Sequence, residues 1–333
     1  MTEEILIIGI CKQFDDGAQP HFKRLMTSFN VKFVEYDSIL KIVESLLEGE
    51  IDLAGISGLS AYELGFSANT TYPKLKVSAF LPRRDPTLIL ASKDGLDHFP
   101  RKGKIFAELE LVRRQLKRYR SDFDLCNKSD LKLEKYAGGE LVEKLNELCS
   151  DGKLDGYILE RSEWNSFGKK GRRHTLGMQI ENSDSRQRFI PPPLRGFSLL
   201  ISRTGFPNSI FEGFTDEHTM VSYRIESKLL SDLEKNELLG IHVFIRRIST
   251  IMRSLDEEGG LMSMILDEKL EYIEKNENLI EKTTQMIEII MEKLDEKGQI
   301  TLSLEKKFLP TDDEYKTLKI FVNEWEKIID LSE

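Results

Sequence analysis

The sequence predicts an α/β protein of two small lobes, followed by a small α+β third domain and a C-terminal helical hairpin. Three observations predict it. Short β-branched runs alternate with helically spaced apolar residues over 5–92, and the same alternation restarts at Lys104. A proline-rich stretch, Phe189-Ile190-Pro191-Pro192-Pro193-Leu194-Arg195-Gly196, then leads into one more apolar strand. Beyond Gly259-Gly260 the composition shifts to an apolar residue every seven positions.

Residues 5–10 read as a buried strand ending beside a glycine, and Pro20 to Phe29 supplies the helix after it. Val31 to Tyr36 alternates as a second strand, Ile39 to Leu47 repeats at helical spacing, and residues 51–56 resume a strand. Lys76 to Leu81 and Leu88 to Ser92 are further strands, and the polar stretch Lys93 to Gly103 reads as a hinge. The second unit follows: strand Lys104 to Ala107, helix Glu110 to Tyr119, strand Asp130 to Tyr136, helix Glu140 to Cys149 and strand Asp155 to Leu159. Phe197 to Ser202 is a strand that could cross back to the first lobe, Met220 to Leu233 a helix, and Ile241 to Ile245 a strand. Leu266, Ile273, Ile280, Ile287 and Leu294 form a heptad column, and Tyr315, Leu318, Val322, Trp325 and Ile329 a second amphipathic helix. These readings divide the chain into a first lobe (1–95 with 189–205), a second lobe (104–188), a third domain (206–255) and a helical extension (256–333). The apolar stripe of that extension, within 261–331, is the expected surface for self-association or a partner protein.

The 333 residues carry 48 Lys plus Arg against 57 Asp plus Glu, a net charge of −9, which speaks against a global binder of nucleic acid or anionic membrane. No apolar run approaches the roughly 18 residues of a membrane span, and the first residues, Met1-Thr2-Glu3-Glu4, are acidic where a signal peptide is basic. A cytoplasmic location is expected. Cys11, Cys126 and Cys149 are odd in number and far apart, so neither a disulfide framework nor a zinc set is built from them, and no metal is expected.

Several stretches carry a likeness. Leu81-Pro82-Arg83-Arg84-Asp85-Pro86 is similar to L-P-R-E-D-P, Gly49-Glu50-Ile51-Asp52-Leu53-Ala54 to G-E-x-D-x-A, and Phe189 to Phe197 to F-L-P-A-P-G-Q-G-A. In order and spacing over roughly 5–250 they resemble the porphobilinogen deaminase (hydroxymethylbilane synthase) family, a transferase of tetrapyrrole biosynthesis with this lobe plan. Against the family's H-S-x-K-D-x-P, only Ser57 survives, with Leu59 at the lysine and Ser60 at the catalytic aspartate. A hydroxyl cannot replace that carboxylate. Glu237 or a neighbour stands where the family anchors its dipyrromethane cofactor on a cysteine, so no dipyrromethane is expected. Of the family's arginine positions for substrate carboxylates, only Lys135 keeps a positive charge.

The resemblance therefore implies a deaminase-like protein that has lost the standard catalysis and binds a small anionic or tetrapyrrole-related ligand between its lobes. Two other readings stand beside it. One is an active but divergent transferase of the same pathway. The other is an unrelated two-lobed cytosolic small-molecule-binding protein, because periplasmic-type solute receptors share the lobe plan.

The candidate ligand residues are Ser57, Arg83, Arg84, Asp85, Lys135, Gly138 and Gly139. Arg83, Arg84 and Asp85 end a strand, where open α/β sheets face their ligand crevice; the plainer reading of the same residues is an Asp-Pro turn flanked by solvated arginines. Gly138-Gly139 could present backbone N–H groups to an anion or simply permit a tight turn. Arg113, Arg114, Lys117 and Arg118 share a helical face, and Lys169 to His174 is a basic loop; without interleaved aromatics both read as solvated rather than RNA-binding. His242, in an apolar strand, reads as a core histidine.

Overall fold

The computed structural model describes residues 5–27, 29–66, 74–168, 171–178, 187–211, 213–233, 238–247 and 285–330. Glu237, Lys169, Lys170 and the heptad residues Leu266, Ile273 and Ile280 lie outside them.

The first lobe grows from β1 (Leu6–Cys11), α1 (Ala18–Leu25), β2 (Val31–Tyr36), α2 (Ile39–Glu48), β3 (Leu53–Ser57), α3 (Gly58–Glu63) and β4 (Leu75–Phe80). α2 starts where the Ser38 hydroxyl accepts from Lys41 N–H, and stops at Gly49, whose φ of 82° only glycine adopts without strain. Its apolar face, Ile42, Val43 and Leu46, packs with Ile51, Ala54 and Ile56 on one side of the sheet, while Phe22 of α1 and Met26 just after it pack on the other.

The second lobe contains β5 (Leu88–Ser92), β6 (Lys104–Phe106), α4 (Glu110–Tyr119), β7 (Asp124–Cys126), α5 (Lys128–Leu131), α6 (Gly138–Ser150), β8 (Gly156–Glu160), α7 (Arg161–Phe167) and β9 (Arg173–Leu176). The chain then returns through the prolines to β10 (Ser198–Arg203). The two sheets run β2-β1-β3-β10-β4 and β7-β6-β8-β5-β9. In each, one strand enters from across the hinge and runs antiparallel: β10 between β3 and β4, and β5 between β8 and β9. The α/β class with two lobes is thus the observed architecture.

Two boundaries differ from the expectation. Leu88 to Ser92, assigned with the first lobe, is a central strand of the second. The expected strand 130–136 is instead the end of α5 and a turn; β7 lies earlier, and Asn127 with Asp130 forms a capping box that starts the short helix.

The hinge crosses at Leu81–Thr87 and again at Ile190–Phe197. Gly196 sits at φ 82°, and a Cβ there would stand 2.4 Å from the Arg84 carbonyl oxygen, so the two crossings touch through a hydrogen-only side chain. Gly196→Ala is expected to cost about 1–3 kcal/mol, read as a lower urea midpoint with unchanged m-value.

The third domain comprises α8 (Glu217–Asp232), β11 (Leu239–Arg247), β12 (Gln285–Leu294), β13 (Thr301–Phe308) and α9 (Glu314–Asp330). The predicted helical hairpin is corrected here, because 285–294 and 301–308 are strands of an antiparallel sheet with order β11-β12-β13. Ile287 and Leu294 are seven apart, an odd spacing that puts them on opposite faces of a strand. Both are buried, since β12 is covered on both sides and so carries apolar residues at either parity. Ile287, Ile289 and Met291 join Leu318, Phe321, Val322 and Trp325 of α9 in one core. The other face meets the second lobe: the Arg118 guanidinium reaches Glu292 at 3.0 Å and that of Arg114 donates to the Leu294 carbonyl at 2.8 Å. The basic helical face foreseen as solvated is therefore packed. Of the described residues of the apolar stripe within 261–331, Ile287, Leu294, Leu318, Val322 and Trp325 are buried and Ile329 packs against the same core, while Tyr315 stays exposed.

Candidate functional site

Between the lobes, the loops at the carboxyl ends of β1, β3, β6 and β8 converge. The outer chamber holds about 700 Å³ and is lined by Lys12, Gln13, His21, Arg24, Arg161 and Asn165, among others; an inner chamber of about 240 Å³ opens beside it. Phe14 lines both. Its ring lies 5.5 Å from that of Phe167, so an aromatic pair spans the lobes.

The β1–α1 loop organises this site. Asp15 accepts the Ser57 N–H at 2.7 Å and the Ser60 hydroxyl at 2.7 Å, while the Ser57 hydroxyl accepts Ser60 N–H at 3.2 Å and caps α3. Asp16, buried and left-handed at φ 44°, reaches three elements: it accepts the Gly196 N–H at 2.8 Å, an Arg84 N–H at 3.1 Å and the Ser162 hydroxyl at 3.2 Å. It thereby joins the first lobe to the start of α7 and to both hinge crossings.

Glu160, at the end of β8, meets the Arg195 guanidinium at 3.3 Å. Burial raises its carboxyl to about 8; Arg195 opposes the shift, and the negative charges of Asp16 and Glu163 add to it. Glu163 is raised in the same way by burial. His21 is pulled down to about 3 by burial and by the nearby Arg84 and Arg24 charges, and its Nδ1 lies 3.0 Å from the buried Ser198 hydroxyl. It is neutral, and that ring nitrogen is engaged.

The residues expected from sequence fall into distinct places. Arg83 fills its planar fork with Glu226 of α8, at 2.6 and 3.1 Å, and its guanidinium carbon lies 3.9 Å from the centre of the Phe197 ring. Arg84 holds Asp16. Asp85 accepts Thr87 N–H at 2.9 Å and pairs with Arg161 at 2.9 Å. All three border the outer chamber. Ser57 is buried behind Asp15. Lys135 is exposed, its amine 5.0 Å from the Tyr136 ring centre, and does not line either chamber. Gly138 and Gly139 open α6 beside the Phe167 ring, where a Cβ would make ordinary contact at 3.5 and 3.4 Å, and Gly138 takes the left-handed conformation at φ 51°.

Sequence reading missed Phe14, Asp15, Asp16, Glu160, Arg161 and Arg195. The signal was the polar run Lys12-Gln13-Phe14-Asp15-Asp16-Gly17 directly after the first strand, the usual ligand-facing loop of an open α/β sheet. Among the described residues no group of His, Cys, Asp and Glu is placed to hold a metal ion, and no helix is long and apolar enough to cross a membrane.

No family model matches this chain, and no curated protein does. Solved structures with a similar fold include the periplasmic aliphatic sulphonate-binding protein of Escherichia coli, at 14% identity over 70% of this chain and 71% of that one, with a TM-score of 0.31. An ABC transporter protein of Parabacteroides distasonis matches at 13% identity over 77% and 79%, with a TM-score of 0.37. The methionine-binding protein MetQ matches at 11% over 61% and 86%, with a TM-score of 0.33. At these scores the likenesses carry no argument about a ligand.

The tetrapyrrole expectation is corrected. No deaminase is among the similar structures named, and no family model supports the resemblance or the hydroxymethylbilane synthase, porphyrin and transferase-like functions it implied. The short motifs answer to local structure instead. Gly49 ends α2, the Asp52 carboxylate accepts Ile7 N–H at 2.8 Å, and the arginine and proline segments are the two hinge crossings.

Proposed function

We propose that the protein is a two-lobed small-molecule-binding protein that holds a ligand with an anionic group between its lobes. The observation that carries this reading is the convergence of strand-end loops from both lobes on one chamber of about 700 Å³, beside a hinge crossed twice. Lys12, Arg24 and Arg161 bring cationic side chains to its walls, and Gln13, Gln19, Asn165 and Ser166 bring neutral donors. Asp15 and Asp16 are engaged by N–H and O–H donors, Lys12 pairs with Asp37 and Arg161 with Asp85, and Arg24 adds a further positive charge to the wall, which favours an anionic ligand.

The test is calorimetry and thermal shift with a panel of small carboxylates, sulfonates and phosphates. A binder is expected whose affinity falls about tenfold or more in Arg24→Ala and in Arg161→Ala, and falls as salt rises. Equal affinity in both variants and wild type, or no binder in the panel, would overturn the reading.

A further inference from the structure

The inner chamber differs in chemistry from the outer one. Its walls include Phe106, Leu109, Val112, Leu141, Ile158 and Leu159, from the carboxyl ends of β6 and β8 and the helices above them. Interiors are close-packed, and apolar walls facing a gap forfeit the dispersion contacts they would otherwise make. At about 30 Å³ per water-sized unit, a chamber of about 240 Å³ has room for roughly six to eight methylene-sized groups.

The charged residues at this chamber fix which end of a ligand enters. Glu108, Glu160 and Glu163 line it against Lys128 and Arg195. With its carboxyl raised to about 8, Glu160 is protonated at neutral pH and adds no charge there, whereas the outer chamber carries Arg24 beside Lys12, Arg83, Arg84 and Arg161, which pair with Asp37, Glu226, Asp16 and Asp85. An anionic head is thus favoured outside and an apolar tail inside. Phe14, common to both chambers, marks where the two parts of one molecule would join.

We propose that the ligand is an amphiphilic acid, with an anionic head in the outer chamber and an aliphatic arm of up to about eight carbons in the inner one. This rests on the reading of the cleft as the ligand site and names the class of molecule it takes.

The experiment is calorimetry on the full chain with propanoate, butanoate, hexanoate, octanoate and dodecanoate, and with hexylamine as the opposite charge. Affinity should rise about fourfold per added methylene to octanoate and then level or fall, and hexylamine should bind at least tenfold more weakly than hexanoate. Leu109→Trp, at a half-buried wall position, should abolish the chain-length increment. Phe14→Ala, at the shared wall, should reduce the increment. If the carboxylates bind but show no dependence on length, or if hexylamine matches hexanoate, the amphiphile proposal is wrong while the cleft reading stands. If no carboxylate, sulfonate or phosphate binds at all, both fall together.

Discussion

Glu226→Ala will lower the unfolding free energy by about 3–5 kcal/mol, the cost of leaving one member of a buried ion pair without its partner. Glu226 is fully buried on α8 and accepts from Arg83 at 2.6 and 3.1 Å, from Leu194 N–H at 2.8 Å and from Val243 N–H at 3.1 Å. Burial pushes its carboxyl up, and Arg83 with the two N–H groups holds it back. One side chain therefore ties both hinge crossings and β11 to α8 of the third domain. Urea unfolding of the full chain at pH 7 gives the number. The double variant Arg83→Met with Glu226→Leu should lose less than Glu226→Ala, since it leaves no unpaired charge in the interior. A single-variant loss under about 1 kcal/mol would show that the pair is not the fastening described.

Raising the pH through about 8 will loosen the contact between the lobes, because that is where the Glu160 proton leaves. The sign follows from linkage. In the closed arrangement the Glu160 carboxyl is raised from 4.5 to about 8, so closure binds a proton that an opened, solvated Glu160 would release. Closure is fully favoured below the ordinary glutamate range and is lost as pH rises through the closed-state value. The groups facing Glu160 are Arg195 on the hinge, Asp16 on the first lobe and Glu163 on α7; Arg84 pairs with Asp16, and Lys128 lies near Glu163. Glu160→Gln removes the titration, and its lobe separation should be flat from pH 6 to 9. Fluorescence transfer between a dye on each lobe reads this directly. A wild-type separation that does not change across that range would show that Asp16 and Glu160 do not form a titrating contact.

The lobes were legible because their strands are buried on both faces, so Leu6–Cys11, Leu53–Ser57 and Gly156–Glu160 read as continuous apolar runs. The exchange of β5 and β10 between lobes was harder to read, since a strand's own residues do not say which sheet it enters. Gln285–Leu294 misled for a related reason: a strand buried on both faces shows apolar residues at any spacing, seven included. Arg83 and Arg84 were found as a pair at a strand end, yet their partners are 143 residues away at Glu226 and 68 residues away at Asp16. No local pattern carries such a pairing. The loop with Phe14, Asp15 and Asp16 was visible as a polar turn, but its partners Ser57, Ser162 and Gly196 lie 42, 146 and 180 residues away and are brought to it only by the tertiary fold.

Amide hydrogen exchange, with and without saturating amounts of the tightest binder from the carboxylate, sulfonate and phosphate panel, tests the cleft most directly. The account predicts slowed exchange in the strand-end loops of both lobes, at Lys12–Gly17, Glu108–Leu109 and Arg161–Phe167, with the exposed α9 surface unchanged. Slowing confined to the third domain, or to one lobe alone, would contradict a ligand held between the two.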